Sequence, residues 1–242
     1  MKSEIHFVQT LRKINMILKC LSTGSKANCY ILTSGKGKHL ILDAGVTVPE
    51  IKKGLNFDIA NVEGCLVTHE HKDHSLSSDK IANFTPVWKP YESEHKKLHT
   101  HLGEYDITCF DVPHNGVENR GFLIGVDSQQ ICYITDAEYC PYKLSSKNID
   151  TLIIECNYMA ELVRDDLPNL QHKVLGHMEL ETTIGIIQDN VQSLKNVILV
   201  HMGAGSLDRI AAMIRIRKVI PSYINIIWAK AGEVYNISKI PF

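Results

Sequence analysis

A chain of 242 residues, 44% hydrophobic and 22% charged, has the length of one large domain or two small ones and enough apolar content for a real core, which excludes disordered and fibrous classes. Lysine and arginine total 26 against 27 for aspartate and glutamate, so the chain has no overall pull toward a polyanion, and a nucleic-acid role needs a local basic patch. Twelve histidines are many for this length and point toward metal chemistry.

Residues 1–15 read as an N-terminal extension and residues 16–242 as a single domain, because no repeat, low-complexity stretch or Pro/Gly/Ser linker divides the chain. The first half predicts short β-rich runs at Ile14–Leu21, Asn28–Leu32, His39–Leu42, Cys65–Thr68, Tyr105–Val112, Gly121–Val126 and Ile131–Thr135, punctuated by glycines. Helices are expected at Pro49–Leu55, Ser78–Phe84 and Glu92–Leu98. The second half alternates: strand Thr151–Glu155, helix Glu179–Leu194, strand Asn196–Val200, helix Ser206–Val219, then short strands near Ile224–Ile227 and Val234–Ile237. Hairpin-like neighbours early and alternation later fit two mixed sheets between helical layers. No glycine-rich phosphate loop follows a strand, and Gly24-Ser25-Lys26 reads as a hairpin turn.

No apolar run reaches the roughly 18–20 residues of a membrane helix, and the N-terminus lacks the apolar core of a signal peptide, so a cytoplasmic protein is expected. Seven cysteines, odd in number and never spaced Cys-x-x-Cys, read as reduced, buried thiols rather than disulfides or a thiolate zinc site.

The most informative segment is Cys65-Leu-Val-Thr-His69-Glu70-His71-Lys72-Asp73-His74. A buried strand ends and four potential ligands, His69, His71, Asp73 and His74, follow within six positions, where a loop leaving a sheet can curl them around one point. Imidazole with carboxylate suits zinc first, with manganese or iron as alternatives. Three more candidates stand directly after predicted strands: His114, Asp136 and His201. His95, His99 and His101 form another cluster, read as a solvated helix face, and His6, His39 and His172 are assigned no role.

These residues make the sequence resemble the metallo-β-lactamase fold superfamily, over about residues 16–237. His69-x-His71-x-Asp73-His74, His114, Asp136 and His201 match its ligand motifs in order, and Asp43 matches the aspartate that supports a ligand histidine. The resemblance implies a four-layer αββα sandwich with two divalent metal ions, zinc first and manganese second. It also implies that His69, His71 and His114 hold one ion, that Asp73, His74 and His201 hold the other, and that Asp136 bridges them.

Fold does not fix chemistry here. His74 argues against lactamase classes that lack it, and His71 against flavo-diiron proteins. Gly176-His177 and Glu155 resemble accessory motifs of ribonuclease Z and ribonuclease J relatives, in which the histidine meets the scissile phosphate or the leaving oxygen and the glutamate positions it. Asp73, His177 and Glu155 are therefore the candidate catalytic residues, for a phosphodiesterase using a two-metal-activated hydroxide. Only residues 151–176 separate Asp150 from His177, too few for the inserted domain of the ribonuclease J type. The compact layout, with Leu21-Ser-Thr-Gly-Ser25 and Ile154-Glu155-Cys156-Asn157, is most similar to the YycJ (WalJ)-type single-domain nucleases related to ribonuclease Z, which implies DNA as the substrate and partner and exonuclease activity. The alternatives are a thioester or lactone hydrolase of the glyoxalase II or lactonase kind, and a metal-binding protein without turnover. Ser75, Asn115, Met178 and Glu179 depart from the family pattern, and Glu179 puts a phosphate contact and a helix cap in doubt. A basic strand path is offered by Lys36, Lys38, Lys143, Lys147, Arg209, Arg215, Arg217 and Lys218.

Overall fold

The computed structural model describes residues 15–92, 98–163 and 174–239. The expected extension, apart from Asn15, lies outside the described residues, as do His6, His95, His172 and most of the helix expected at Glu92–Leu98.

Two sheets form the body. The first contains β1 (Ile17–Ser22), β2 (Cys29–Thr33), β3 (His39–Leu42), β4 (Val62–Leu66), β5 (Val87–Trp88) and β13 (Val234–Asn236), in the order β13-β1-β2-β3-β4-β5. The second contains β6 (His99–Leu102), β7 (Tyr105–His114), β8 (Val117–Val126), β9 (Gln129–Ile134), β10 (Thr151–Glu155), β11 (Asn196–Val200) and β12 (Asn225–Trp228), in the order β12-β11-β10-β9-β8-β7-β6. Both are mixed: β3 and β4 run parallel, as do β9 through β12, while the β6-β7-β8-β9 meander is antiparallel. This is the architecture of two mixed sheets between helices that the sequence predicts.

Alternation places one face of each sheet against the other. Leu18, Cys20, Tyr30, Leu32, Leu40 and Leu42 meet Ile107, Cys109, Phe122, Ile124, Tyr133 and Ile198 in the central core. The outer faces are covered by helices. α1 (Val48–Gly54) packs with Ile51 against the first sheet, and the single turns α2 (Lys72–Ser75) and α3 (Ser78–Ile81) follow β4. α4 (Leu180–Asn190) buries Leu180, Thr183, Ile184 and Ile187, a 3–4–7 spacing that puts one stripe on the second sheet, where α5 (Arg209–Val219) also packs through Ala212 and Ile216. β10 and β11 are buried along their whole length, as strands covered on both faces must be, and so read as continuous apolar runs.

Topology then fixes where the site lies. β7 is antiparallel to β8 and β8 to β9, so β7 points the same way as β9, β10 and β11, and all four end at one edge. β3 and β4 end there too: Tyr133 Oη donates to Asp43 Oδ2 at 2.6 Å, and Arg120 N donates to Thr68 O at 3.1 Å, tying the sheets together.

The structure corrects the reading of the second histidine cluster. His99 and His101 lie on edge strand β6, not on a helix, and a carboxylate does stand beside them, Asp106 on β7. All seven cysteines are free, and six are buried. No helix among the described residues is long and apolar enough to cross a membrane.

Candidate metal centre

Each group of the centre comes from the chain at or just beyond the end of a strand. After β4 the chain turns through α2, whose backbone is lashed to the first sheet: Asn28 N donates to Asp73 O at 2.7 Å and Ala44 N to His74 O at 2.7 Å. Gly45 lets this turn come close, because a Cβ there would stand 1.7 Å from the Asp73 carbonyl oxygen. His114 closes β7 and is followed by Asn115-Gly116, both with positive φ (43° and 79°), as a two-residue hairpin of the mirror-image type requires. Asp43, Asp136 and His201 are also left-handed, with φ of 58°, 49° and 47°. For side chains with a Cβ this costs about 1–3 kcal/mol each, and it is sustained by the packing around them.

Seven side chains converge as two groups, within each of which the candidate ligand atoms lie within 4.8 Å of one another: His69, His71 and His114; and Asp73, His74, Asp136 and His201. These are all seven ligand candidates of the sequence reading. Within the first group His71 Nδ1 lies 3.0 Å from His69 Nε2 and 3.3 Å from His114 Nε2. In the second, His74 Nε2 is 3.3 Å from Asp136 Oδ1 and 3.5 Å from Asp73 Oδ2, and His201 Nε2 is 3.4 Å from Asp136 Oδ1.

The surrounding acceptors decide which imidazole nitrogen faces inward. Nδ1–H of His74 donates to Asp43 Oδ2 (2.8 Å), that of His114 to Gly176 O (2.6 Å) and that of His201 to Glu155 Oε1 (2.9 Å). In all three Nε2 is then the nitrogen that carries the lone pair; that of His74 also lies 2.9 Å from Asn28 Nδ2, an amide donor. His201 Nε2 is buried and has no hydrogen-bond partner among the described residues. A buried imidazole lone pair beside carboxylates with nothing to accept from is the signature of a cation site, and the donor set of imidazoles and carboxylates fits a divalent transition ion.

Electrostatics agree. Burial, reinforced by His74, pushes His69 well below the ordinary imidazole range, and burial lowers His114, so both favour the neutral form that a metal ligand needs. Burial disfavours the charged form of His74, but Asp136 and Asp43 outweigh it and hold its pKa well above the usual value. Burial likewise would raise Asp136, yet His201 and His74 keep it well below the carboxylate range. The second group therefore carries a negative field that favours positive charge.

Asp43, fully buried, accepts from Thr68 N (2.9 Å), Thr68 Oγ1 (3.1 Å), Tyr133 Oη and His74 Nδ1. Thr68 Oγ1 is also 3.0 Å from His69 Nδ1. Glu155, equally buried, accepts from His177 Nδ1 (2.7 Å), His201 Nδ1, Asn157 Nδ2 (3.0 Å) and the amide of Ala137 (2.9 Å), which follows Asp136. Burial would raise the Glu155 pKa, but His177 and His201 hold it down. The His177 ring stacks on His201 at 5.0 Å and 14°, with the His114 ring 5.4 Å away. Thr68, Tyr133 and the β1–β2 loop's Thr23, whose hydroxyl accepts from His201 N at 3.0 Å, are supporting residues that the sequence reading leaves unassigned. A hydroxyl directly before His69 is the one signal that marks any of them. Glu179, doubted as a cap, does cap α4, accepting from Glu181 N. Of the basic path, Lys36 pairs with Glu104, Lys38 with Glu63, and Arg215 with Glu161 and Glu181.

The sequence model described as the metallo-beta-lactamase superfamily matches residues 22–132. The chain is 25% identical over 183 residues to the exodeoxyribonuclease WalJ of Streptococcus pneumoniae, covering 64% of this chain and 67% of that one. In three dimensions it is similar to the metallo-beta-lactamase fold protein YhfI from Bacillus subtilis (TM-score 0.68, 16% identity, 91% of this chain and 99% of that one) and to the short form of human tRNase Z (TM-score 0.61, 14% identity, 92% and 100%). The matched segment stops before Asp136, Glu155, His177 and His201, so those four rest on geometry. Residues 22–132 thus match the metallo-β-lactamase superfamily model, and the chain has the metallo-β-lactamase fold.

Proposed function

We propose that the protein is a metal-dependent phosphodiesterase that cleaves nucleic acid, DNA before RNA, from an end. The observation that carries this reading is the His177–Glu155 pair. It puts a proton-transferring imidazole beside both ligand groups, held by a buried carboxylate. The similarity to an exodeoxyribonuclease supports the same substrate class.

In this reading His69, His71 and His114 hold one ion, Asp73, His74 and His201 the second, and Asp136 both, with zinc as the native metal and manganese as the substitute. The ions, when bound, supply a nucleophile from water at neutral pH and neutralise charge on the phosphoryl oxygens. The chain's own residues do the rest. Glu155 accepts Nδ1–H of His177, which fixes the ring and favours its cationic form, so Nε2 delivers the proton to the departing oxygen. Asp43 and Glu155 hold His74 and His201 in the tautomer that turns Nε2 inward. Free, mostly buried thiols support the cytoplasm as the place of action.

The test is a substrate panel with added Zn²⁺ or Mn²⁺. A 5′-labelled single-stranded or duplex DNA should be shortened stepwise, and bis-p-nitrophenyl phosphate should turn over. Faster turnover of S-lactoylglutathione or a homoserine lactone than of any phosphodiester would replace this reading with the thioester or lactone hydrolase. Cleavage of RNA in preference to DNA would keep the chemistry and change the substrate.

A further inference from the structure

The far end of β7 carries a second set of ligands. On β6, His99 and His101 are two residues apart and so share a face, and the β6–β7 register sets His101 directly opposite Asp106. All three point to solvent, with side chains 49%, 67% and 58% exposed. His99 Nε2 is 2.5 Å and His101 Nδ1 3.6 Å from the same oxygen, Asp106 Oδ1, and the two rings meet edge to face at 4.8 Å and 83°. One ligand atom from each residue thus falls inside a 4.8 Å cluster. Across the sheet from Asp106 stands Gly125, which places no side chain over the carboxylate.

We propose that His99, His101 and Asp106 form a peripheral binding site for a borderline divalent transition ion, Cu²⁺ before Ni²⁺ or Zn²⁺ in affinity. Two imidazoles and one carboxylate are the donor set such ions select, and the order follows the usual ranking for nitrogen and oxygen sites. Three protein ligands on an open face leave the remaining positions to water. Because the strand spacing fixes the distance between the two imidazole-bearing positions, the ligands are arranged before the ion arrives, and only the exposed side chains must rotate to open the His99–Asp106 contact. Asp106 is eight residues from His114 along β7, about 27 Å at strand rise. The site is therefore separate from the candidate metal centre and independent of the reaction performed there. It makes the chain's metal capacity one ion larger than its hydrolytic centre needs.

The experiment uses untagged full-length protein, stripped with chelator and then titrated with CuCl2 and separately with ZnCl2, bound metal being counted by elemental analysis after desalting. Wild type should hold one equivalent more than His99→Gln/His101→Gln, with equal phosphodiester turnover in the two proteins at saturating Zn²⁺. With the candidate centre first filled with Zn²⁺, the Cu²⁺ electron paramagnetic resonance spectrum of wild type should contain an imidazole-nitrogen component that the double variant lacks. Asp106→Asn should retain that component with weaker affinity. Equal metal content and equal spectra in wild type and the double variant would overturn the site and reduce the cluster to hydrogen bonds between exposed side chains. Unchanged affinity in Asp106→Asn would overturn the three-ligand assignment. A loss of turnover in the double variant would overturn the separation from the centre.

Discussion

Two buried carboxylates stand behind the centre, one at the end of a strand in each sheet, and they do different work. Asp43, just after β3, accepts from His74 directly and receives the Thr68 hydroxyl that lies against His69, so it reaches one histidine of each group. Glu155, the last residue of β10, divides itself between His201 and His177 and also pins the turn after Asp136. On the proposed reading, the same chemical group, equally buried, is a brace for metal ligands in one sheet and a link between a ligand and a proton-transferring imidazole in the other. Strand ends supply such positions because the departing backbone leaves amides and side chains unpaired by the sheet, and a buried carboxylate satisfies several at once.

Removing Asp43 should have the largest effect. Asp43→Ala leaves His74, Thr68 and Tyr133 without their buried acceptor, and the loss of one partner from such a network costs about 3–5 kcal/mol. Thermal unfolding should move down by many degrees, and elemental analysis should show metal missing from the purified protein. A variant with wild-type Tm and full metal content would end Asp43's role as a brace.

His177→Ala isolates the other side of the comparison. Its kcat on an oligonucleotide should fall by roughly 10²–10⁴-fold with metal content near wild type. The loss should shrink on bis-p-nitrophenyl phosphate, whose leaving group needs little protonation. Equal losses on both substrates would make His177 a phosphate-positioning group, and loss of metal would make it a ligand.

Glu155→Gln sits between these. The amide keeps the shape and removes the charge, so metal affinity should weaken by about 10–100-fold, as for other groups that orient ligands. At saturating metal a kcat defect should persist, because His177 has lost the group that favours its cation. Asp43→Asn, by contrast, should recover full kcat once metal is saturating. If the two variants behave alike, the division of labour between the sheets is wrong.

Much of this was legible in the sequence, and the reason is local. His69, Asp136 and His201 follow apolar runs closely, and a polar metal-binding type at the close of a buried strand needs no long-range information to be noticed; β3, β10 and β11 fall where the apolar runs predict. The Asn115-Gly116 dipeptide is a hairpin signal that the sequence reading left unused, and it explains why β7 and β8 extend past the predicted Val112 and Gly121 to His114 and Val117. The missed pieces depend on partners. β5 is two residues long, and β6 reads His-Thr-His-Leu, too short and polar to show as a strand until β7 lies beside it. The left-handed backbone of Asp43, Asp136 and His201 is imposed by packing and has no signature in residue type at His201. The pairing of Asp43 with Tyr133 spans 90 residues and only the closed fold brings it together, whereas that of Glu155 with His177 was expected from the resemblance alone and not from any local signal.

The smallest effect is expected where Asp43 acts at one remove. The Thr68 hydroxyl has one proton and lies between Asp43 Oδ1 at 3.1 Å and His69 Nδ1 at 3.0 Å. If it donates to the carboxylate, it must accept Nδ1–H from His69, which turns His69 Nε2 toward His71 as a ligand in the same way that Asp43 turns His74. Thr68→Val keeps the shape and the β-branched strand character but breaks that relay, so one ion of the pair should bind about tenfold more weakly while the other is unchanged. Graded chelation followed by elemental analysis should then show one equivalent leaving early in Thr68→Val and both leaving together or later in wild type. Thr68→Ser, which restores the hydroxyl, should return the wild-type profile. Weakening of both ions alike in Thr68→Val would mean that the hydroxyl serves the Asp43 network as a whole and not His69 in particular.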